Sequence, residues 1–310
     1  MYGAIIGDIV GSTYEFKRIK TKRFLLFPWF SAFTDDSIMT VAVARALMDW
    51  QERGGDLHDA MVMHMRKLGH KYPNPVGAYG RHFKQWLRSY DPKPYKSCGN
   101  GSAMRVSPCG LLATSLEEAL FLAKISAEVT HNSYEGIKGA KAVAAAIYLA
   151  KTGHSKDEIQ RYISQNFYPL NKTLDEIRPG YRFNGTCQGS VPQSIVAFLE
   201  SENYEDAIRN AVSLGGDADT MAAIAGSIAW SYYKAQNVGN MDANMKRLLR
   251  KAQKRMPEEF VRTAKEFEIL CNTKQVRNAE QFLEAEEERG LQDREERMTM
   301  PPLILHNRER

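Results

Sequence analysis

Three glycines near the start of the chain, Gly3, Gly7 and Gly11, stand four residues apart in an apolar run with Ile5, Ile6, Ile9 and Val10. Residues four apart share one face of an α-helix. A helix over residues 3–16 then carries a bare stripe, where another backbone can approach closely, and aliphatic side chains on its other faces. Each interior glycine weakens a helix by ~1 kcal/mol relative to alanine. Three are tolerable only in return for tight packing, so the expectation is a buried helix. Asp8 and Glu15 are seven apart, two turns along one face of it. Acids are seldom buried without a partner. Glu15 can pair with Lys17 or Arg18, or point into a polar cavity, and the spacing leaves both open.

Helical periodicity continues along the chain. Met39, Val43, Leu47 and Trp50 repeat at helical spacing before Gly54-Gly55, and Leu57, Met61, Met65 and Leu68 follow. Tyr72-Pro-Asn-Pro-Val-Gly77 reads as a turn-rich linker, and Tyr79, Phe83, Trp86 and Leu87 mark another helix. Ser115 with Glu118, Asn132 with Glu135 and Ser155 with Glu158 have capping-box spacing at three helix starts. Residues 165–190 are the least regular. Val191-Pro192 places proline near the first turn of a helix, where its missing N–H costs little. Later helices are expected over Tyr204–Leu214, from Asp219 through Tyr232, around Met245–Ala252 and over Pro257–Leu270. No segment alternates with period two. The fold expected is all-α, a single large multi-helix orthogonal bundle over residues 1–270. Residues 271–310 form a charged C-terminal extension, with Glu284, Glu286, Glu287 and Glu288 close together and an apolar triplet, Leu303-Ile304-Leu305.

Composition narrows the function classes. An apolar share of 43% is ordinary for a globular protein. No stretch approaches the ~18 apolar residues of a membrane span, and the first residues make a poor signal peptide because an acid interrupts the apolar part. Cys98, Cys109, Cys187 and Cys271 show no paired or zinc-type spacing and read as free thiols, which points to the cytoplasm. A net charge of +5 does not by itself argue for nucleic acid. The basic run Lys17-Arg-Ile-Lys-Thr-Lys-Arg23 is a solvated loop or a phosphate-contacting one.

The chemistry-bearing residues fall in two clusters, Thr34-Asp35-Asp36-Ser37 and Gly215-Gly216-Asp217-Ala218-Asp219-Thr220, each opening a helix. Either can simply cap its helix. Taken together, Thr34, Asp35, Asp36, Asp217, Asp219 and Thr220 supply oxygen donors that suit a hard cation such as Mg²⁺, Mn²⁺ or Ca²⁺. Helix N-termini tolerate carboxylates, and a cation relieves the repulsion between them. Roughly 180 residues separate Asp36 from Asp217, and spacing alone does not bring them together. Gly99-Asn100-Gly101-Ser102 is either an ordinary turn or a loop whose bare backbone can approach a phosphate.

In this order and spacing, Gly3–Asp8 with Glu15-Phe16, Phe33–Ser37, Gly99–Arg105, Thr130-His131 and Gly215–Thr220 resemble the motifs of the ADP-ribosylglycohydrolase family. Val191-Pro192 and Ala222–Gly226 fit as well. The likeness covers roughly residues 1–235, weakens to about 265, and leaves the acidic extension unmatched. It implies an all-α fold with a dinuclear metal cleft holding two Mg²⁺ or Mn²⁺, with Thr34, Asp35, Asp36, Asp217, Asp219 and Thr220 as ligands. It implies that Glu15 sits on a flap over the site, that Gly99, Asn100, Gly101 and Ser102 hold the diphosphate of ADP-ribose, and that His131 lines that groove. The activity implied is hydrolysis of the bond between ADP-ribose and an acceptor, an arginine or serine side chain of an ADP-ribosylated protein, with Glu15 or Asp36 handling the proton. A non-catalytic ADP-ribose binder, or a hydrolase of nucleobase-linked or small-molecule conjugates, is the alternative. Oligomeric state stays open.

Overall fold

The structure, a computed structural model, describes residues 1–273, and among these the backbone forms fifteen α-helices with two isolated β-bridges and no sheet. The first four are α1 (Tyr2–Gly11), α2 (Asp35–Arg53), α3 (Leu57–Lys71) and α4 (Arg81–Arg88). Next come α5 (Gly101–Met104), α6 (Ser107–Leu112), α7 (Leu116–Glu128), α8 (Tyr134–Lys151) and α9 (Lys156–Asn166). The last six are α10 (Leu174–Ile177), α11 (Cys187–Leu199), α12 (Tyr204–Val212), α13 (Ala218–Gln236), α14 (Ala243–Gln253) and α15 (Glu258–Thr273). The fold is thus an all-α multi-helix bundle. No helix among the described residues is long and apolar enough to cross a membrane. All four cysteines are free. The acidic stretch after Glu280 and the Leu303-Ile304-Leu305 triplet lie outside the described residues. α15 runs to Thr273, three residues beyond the helix expected over Pro257–Leu270.

The glycine stripe does what its spacing demands. α1 lies along α13, and a Cβ on Gly3, Gly7 or Gly11 would come within 2.4, 2.1 and 2.3 Å of atoms of Gly226 or Trp230, Ala222 and Ala218 respectively. The two backbones touch along their length, and every residue of α1 is buried. α13 also packs on α8, α11 and α12, so it is the axis of the core. The alanine run of α8, Ala142–Ala146, is fully buried beside it. α15 is fixed to α2 through Arg45, which donates to Glu259 at 3.1 Å and to Thr263 at 3.1 Å.

Four local expectations need correction. The first helix stops at Gly11, so Glu15 is not two turns along one helix from Asp8 but lies on the segment beyond it. Ser115 accepts from the Glu118 amide, but the Glu118 carboxylate reaches Thr114 N and Oγ1 instead of the cap residue, so the box closes one residue early. Ser133, not Asn132, caps α8. The Asn132 side chain accepts from Lys96 N at 2.8 Å and is unavailable for the helix. Pro192 lies inside α11 rather than in its first turn. It removes one interior hydrogen bond, at some cost to the helix.

Candidate active site

Asp8 begins the site. It is fully buried, and both its oxygens are occupied. Oδ2 accepts from Thr34 N at 2.9 Å, Ser37 N at 3.0 Å and the Ser37 hydroxyl, while Oδ1 accepts from Thr34 Oγ1 at 2.7 Å. Asp8 therefore ties α1 to the start of α2. Thr34 in turn accepts from Asp36 N at 3.2 Å and caps α2, which places Asp35 and Asp36 in its first turn. The second cluster is placed by α13, whose first turn carries Asp219 and Thr220 and whose cap position is Asp217. The glycine-striped contact sets the two starts side by side, and Thr220 Oγ1 donates to Asp36 Oδ2 at 3.3 Å.

Two groups of carboxylates result. Oxygens of Asp8, Asp36 and Asp219 lie within 4.8 Å of one another, as do oxygens of Glu15, Asp217 and Asp219. Asp219 is common to both. Asp35 belongs to neither group, although it lines the same cleft of about 300 Å³. Burial, followed by the charge of neighbouring carboxylates, pushes the pKa values of Asp35, Asp36 and Asp219 well above the usual range. Asp8 and Asp217 are pushed up as well, chiefly by burial. Glu15 is pushed up to about 8 by burial, then by Asp219 and Asp8. Asp36 Oδ1 and Glu15 Oε2 are buried without a hydrogen-bond partner. Carboxylates crowded this way must take up protons or share a cation, and an all-oxygen donor set selects a hard divalent ion. The residues present fit such an ion. Asp8 is the least available of them, since its oxygens already accept four hydrogen bonds.

The glycine loop reaches the same cleft. Gly99 and Thr186 form a bridge in which Asn100 N donates to Gly185 O and Cys187 N to Cys98 O, both at 2.9 Å. Asn100 Nδ2 donates to Asp217 Oδ2 at 2.8 Å, so this side chain positions a carboxylate. Gly99, Asn100 and Gly101 line the cleft. Ser102 does not: it is fully buried, and its hydroxyl donates to Gly136 O at 2.7 Å. Only its main chain, in the first turn of α5, is left for a ligand. His131 faces the loop. A Cβ on Gly101 would stand 3.3 Å from its Nε2, and one on Gly99 3.5 Å. Burial, then the Arg105 charge, push its pKa well below the usual value, which favours the neutral ring.

The segment after Glu15 is anchored across the cleft. Lys20 Nζ donates to the carbonyls of Arg178 at 2.8 Å and of Tyr181 and Leu214 at 2.5 Å, and Arg18 lies over the Phe183 ring. Gly215, at φ +65°, makes room for this: a Cβ there would meet Ile19 O at 2.9 Å and Lys20 Cε at 3.1 Å. Lys22 pairs with Asp206. Much of the basic run is therefore engaged within the chain.

Five residues that shape the site have no role assigned by local sequence. Asp8 was visible as an acid in an apolar helix, yet nothing local linked it to Thr34. Gly77 was read as part of a linker. At φ +81° it brings the backbone against Glu15, where a Cβ would stand 2.9 Å from Oε2. Ala78, on the cleft wall, holds φ at 65°, a costly conformation for a residue with a side chain. Phe183 and Gly185, from the irregular stretch, carried no signal.

A family model described as ADP-ribosylglycohydrolase matches residues 1–281. The ADP-ribosylarginine hydrolase Tri1 of Pseudomonas putida (strain GB-1) is 26% identical over 266 residues, spanning 75% of this chain and 69% of that protein. The ADP-ribosylhydrolase ARH3 of Homo sapiens is 26% identical over 312 residues, spanning 76% and 85%. A solved structure described as an ADP-ribosylglycohydrolase-related protein complex superposes with a TM-score of 0.58 at 22% identity, covering 89% of this chain and 96% of that one. That likeness speaks for the fold.

Proposed function

The chain belongs to the ADP-ribosylglycohydrolase family, and from that premise we propose that it is a metal-dependent hydrolase cleaving ADP-ribose from an arginine or serine side chain of a modified protein. The observation that carries this reading is the pair of carboxylate groups meeting at Asp219. Asp35, Asp36, Asp217 and Asp219, with the hydroxyls of Thr34 and Thr220, would hold two Mg²⁺ or Mn²⁺ ions in a dinuclear cleft. Asp8 stands behind them as the group that aims Thr34. When bound, such cations orient the ribose hydroxyls and polarise the attacking water.

The residues of the chain supply the rest. Hydrolysis at the anomeric carbon passes through an oxocarbenium-like state and needs a base for the water proton. Asp36 and Glu15 each have an unpartnered oxygen for it. The main chain of Gly99–Ser102, with His131 beside it, receives the diphosphate, while Asn100 keeps Asp217 in register with that loop. The helical bundle through α15 makes the catalytic domain of a cytoplasmic enzyme.

Release of ADP-ribose from arginine- and serine-linked substrates, with Mg²⁺ or Mn²⁺, is the direct assay. Asp36→Ala and Asp217→Ala are each expected to lower turnover at least about a hundredfold while circular dichroism stays helical. Absence of release from both linkages and from small ADP-ribose conjugates overturns the reading. Tight ADP-ribose binding without turnover would mark a binding protein instead.

A further inference from the structure

Arg105 follows α5 and is 1% exposed, an unusual setting for a guanidinium. Its Nη2 donates to Ser126 O at 2.6 Å and to Thr130 Oγ1 at 2.8 Å. A guanidinium has no acceptor atom, so the Thr130 hydroxyl must accept from it and keeps its own proton to give. His131 Nδ1 lies 2.7 Å from that hydroxyl; the Tyr95 hydroxyl, which also bonds to Thr130, has its own proton to donate to the second lone pair and so leaves the threonine proton to the imidazole. Thr130 is itself fully buried, so water does not compete. In a neutral imidazole one nitrogen accepts and the other carries hydrogen. Occupying Nδ1 as acceptor leaves the hydrogen on Nε2, the atom facing Gly99 and Gly101.

We propose that Arg105 and Thr130 are positioning residues that fix His131 in its Nε2–H tautomer, making it a neutral hydrogen-bond donor toward an anion seated against the Gly99–Gly101 loop. Burial and the nearby Arg105 charge keep the ring from taking a second proton, in line with its lowered pKa. His131 is then unable to act as a base at Nε2. Naming the anion as the diphosphate of ADP-ribose rests on the function proposed above, whereas the tautomer does not.

The test is two-bond ¹H–¹⁵N correlation on the full chain labelled with ¹⁵N-histidine, at neutral pH and without ligand. The expected spectrum shows His131 protonated at Nε2 and bare at Nδ1. Thr130→Ser keeps that pattern, and Thr130→Val, which has no hydroxyl to give, turns it into a tautomer mixture. Titration with inorganic pyrophosphate should weaken about tenfold in Thr130→Val and recover in Thr130→Ser. An Nδ1–H tautomer or an imidazolium in the unmodified protein overturns the proposal. So does an Nε2–H pattern unchanged in Thr130→Val, or a mixture that leaves pyrophosphate binding unaltered. If Thr130→Val does not fold, the spectra of the unmodified protein and Thr130→Ser decide. Failure of ADP-ribose turnover with the expected spectrum would count against the enzyme assignment and leave the tautomer standing.

Discussion

Glu259 receives hydrogen bonds from Lys71 at 2.7 Å, from Arg45 at 3.1 Å and from the Tyr72 hydroxyl. Burial works against its charge, but these three donors outweigh it and hold its pKa down at about 2 against an ordinary 4.5. A carboxylate lowered in the folded state binds protons more readily when unfolded. Its stabilisation is therefore complete above about 4.5 and lost as pH falls through about 2. Thermal melts of the parent and Glu259→Gln should differ most near neutrality and converge between those pH values. A constant gap down to pH 2 would show that the charge is not what holds α15. The cleft carboxylates are opposite in kind, raised by burial and then by one another. Local sequence does not separate the two cases. Glu259 reads as one more acid in a helix's first turn, because Arg45 and Lys71 come from helices about 200 residues earlier. The role of Asp8 in holding Thr34 is hidden for the same reason: its partners, Thr34 and Ser37, follow a loop whose path the sequence leaves open.

Elements were more legible than their contacts. Hydroxyl and carboxylate caps announced some helix starts, as with Ser155, where both arms of the box form. They failed where the side chain had a competing partner, as Asn132 does in Lys96 N, and Pro192 misled because a proline inside a helix is the rarer outcome. The stripe of Gly3, Gly7 and Gly11 forecast a close backbone neighbour but not its identity. Substitution tests that contact. In Gly7→Ala the new methyl would fall 2.1 Å from Ala222 O, main chain that cannot rotate aside. Overpacking of this kind costs at least about 2 kcal/mol. The expected result is a lower urea midpoint together with weaker Mn²⁺ binding, since α1 and α13 carry opposite sides of the carboxylate cluster. Parent-like values for both would show that the helices can part without disturbing the site.

At the scale of the whole molecule, the cluster sets buried like charges at the centre of the bundle, so a cation there links ligand binding to global stability. A ligand present at a hundred times its dissociation constant adds ~2.7 kcal/mol to the folded state, or about 5 °C for a domain of this size. Mn²⁺ or Mg²⁺ is expected to raise Tm by about that much, with NaCl of equal ionic strength ineffective and EDTA restoring the original value. Asp219→Asn, at the position common to both groups, should abolish the response while leaving a folded protein. An unmodified protein whose Tm ignores both ions would contradict a cation site.

The contact between α1 and α13 also orders events in time. α1 is made long before α13, and until α13 exists its glycine face has nothing to close upon. Contacts so distant in sequence are entropically slow to form. Through most of its synthesis the nascent chain therefore holds Asp8 and Asp36 without Asp217 and Asp219, and half a cage does not grip an ion. Competence arrives late and all at once, when one pair of helices zips together, rather than accumulating as the polypeptide lengthens.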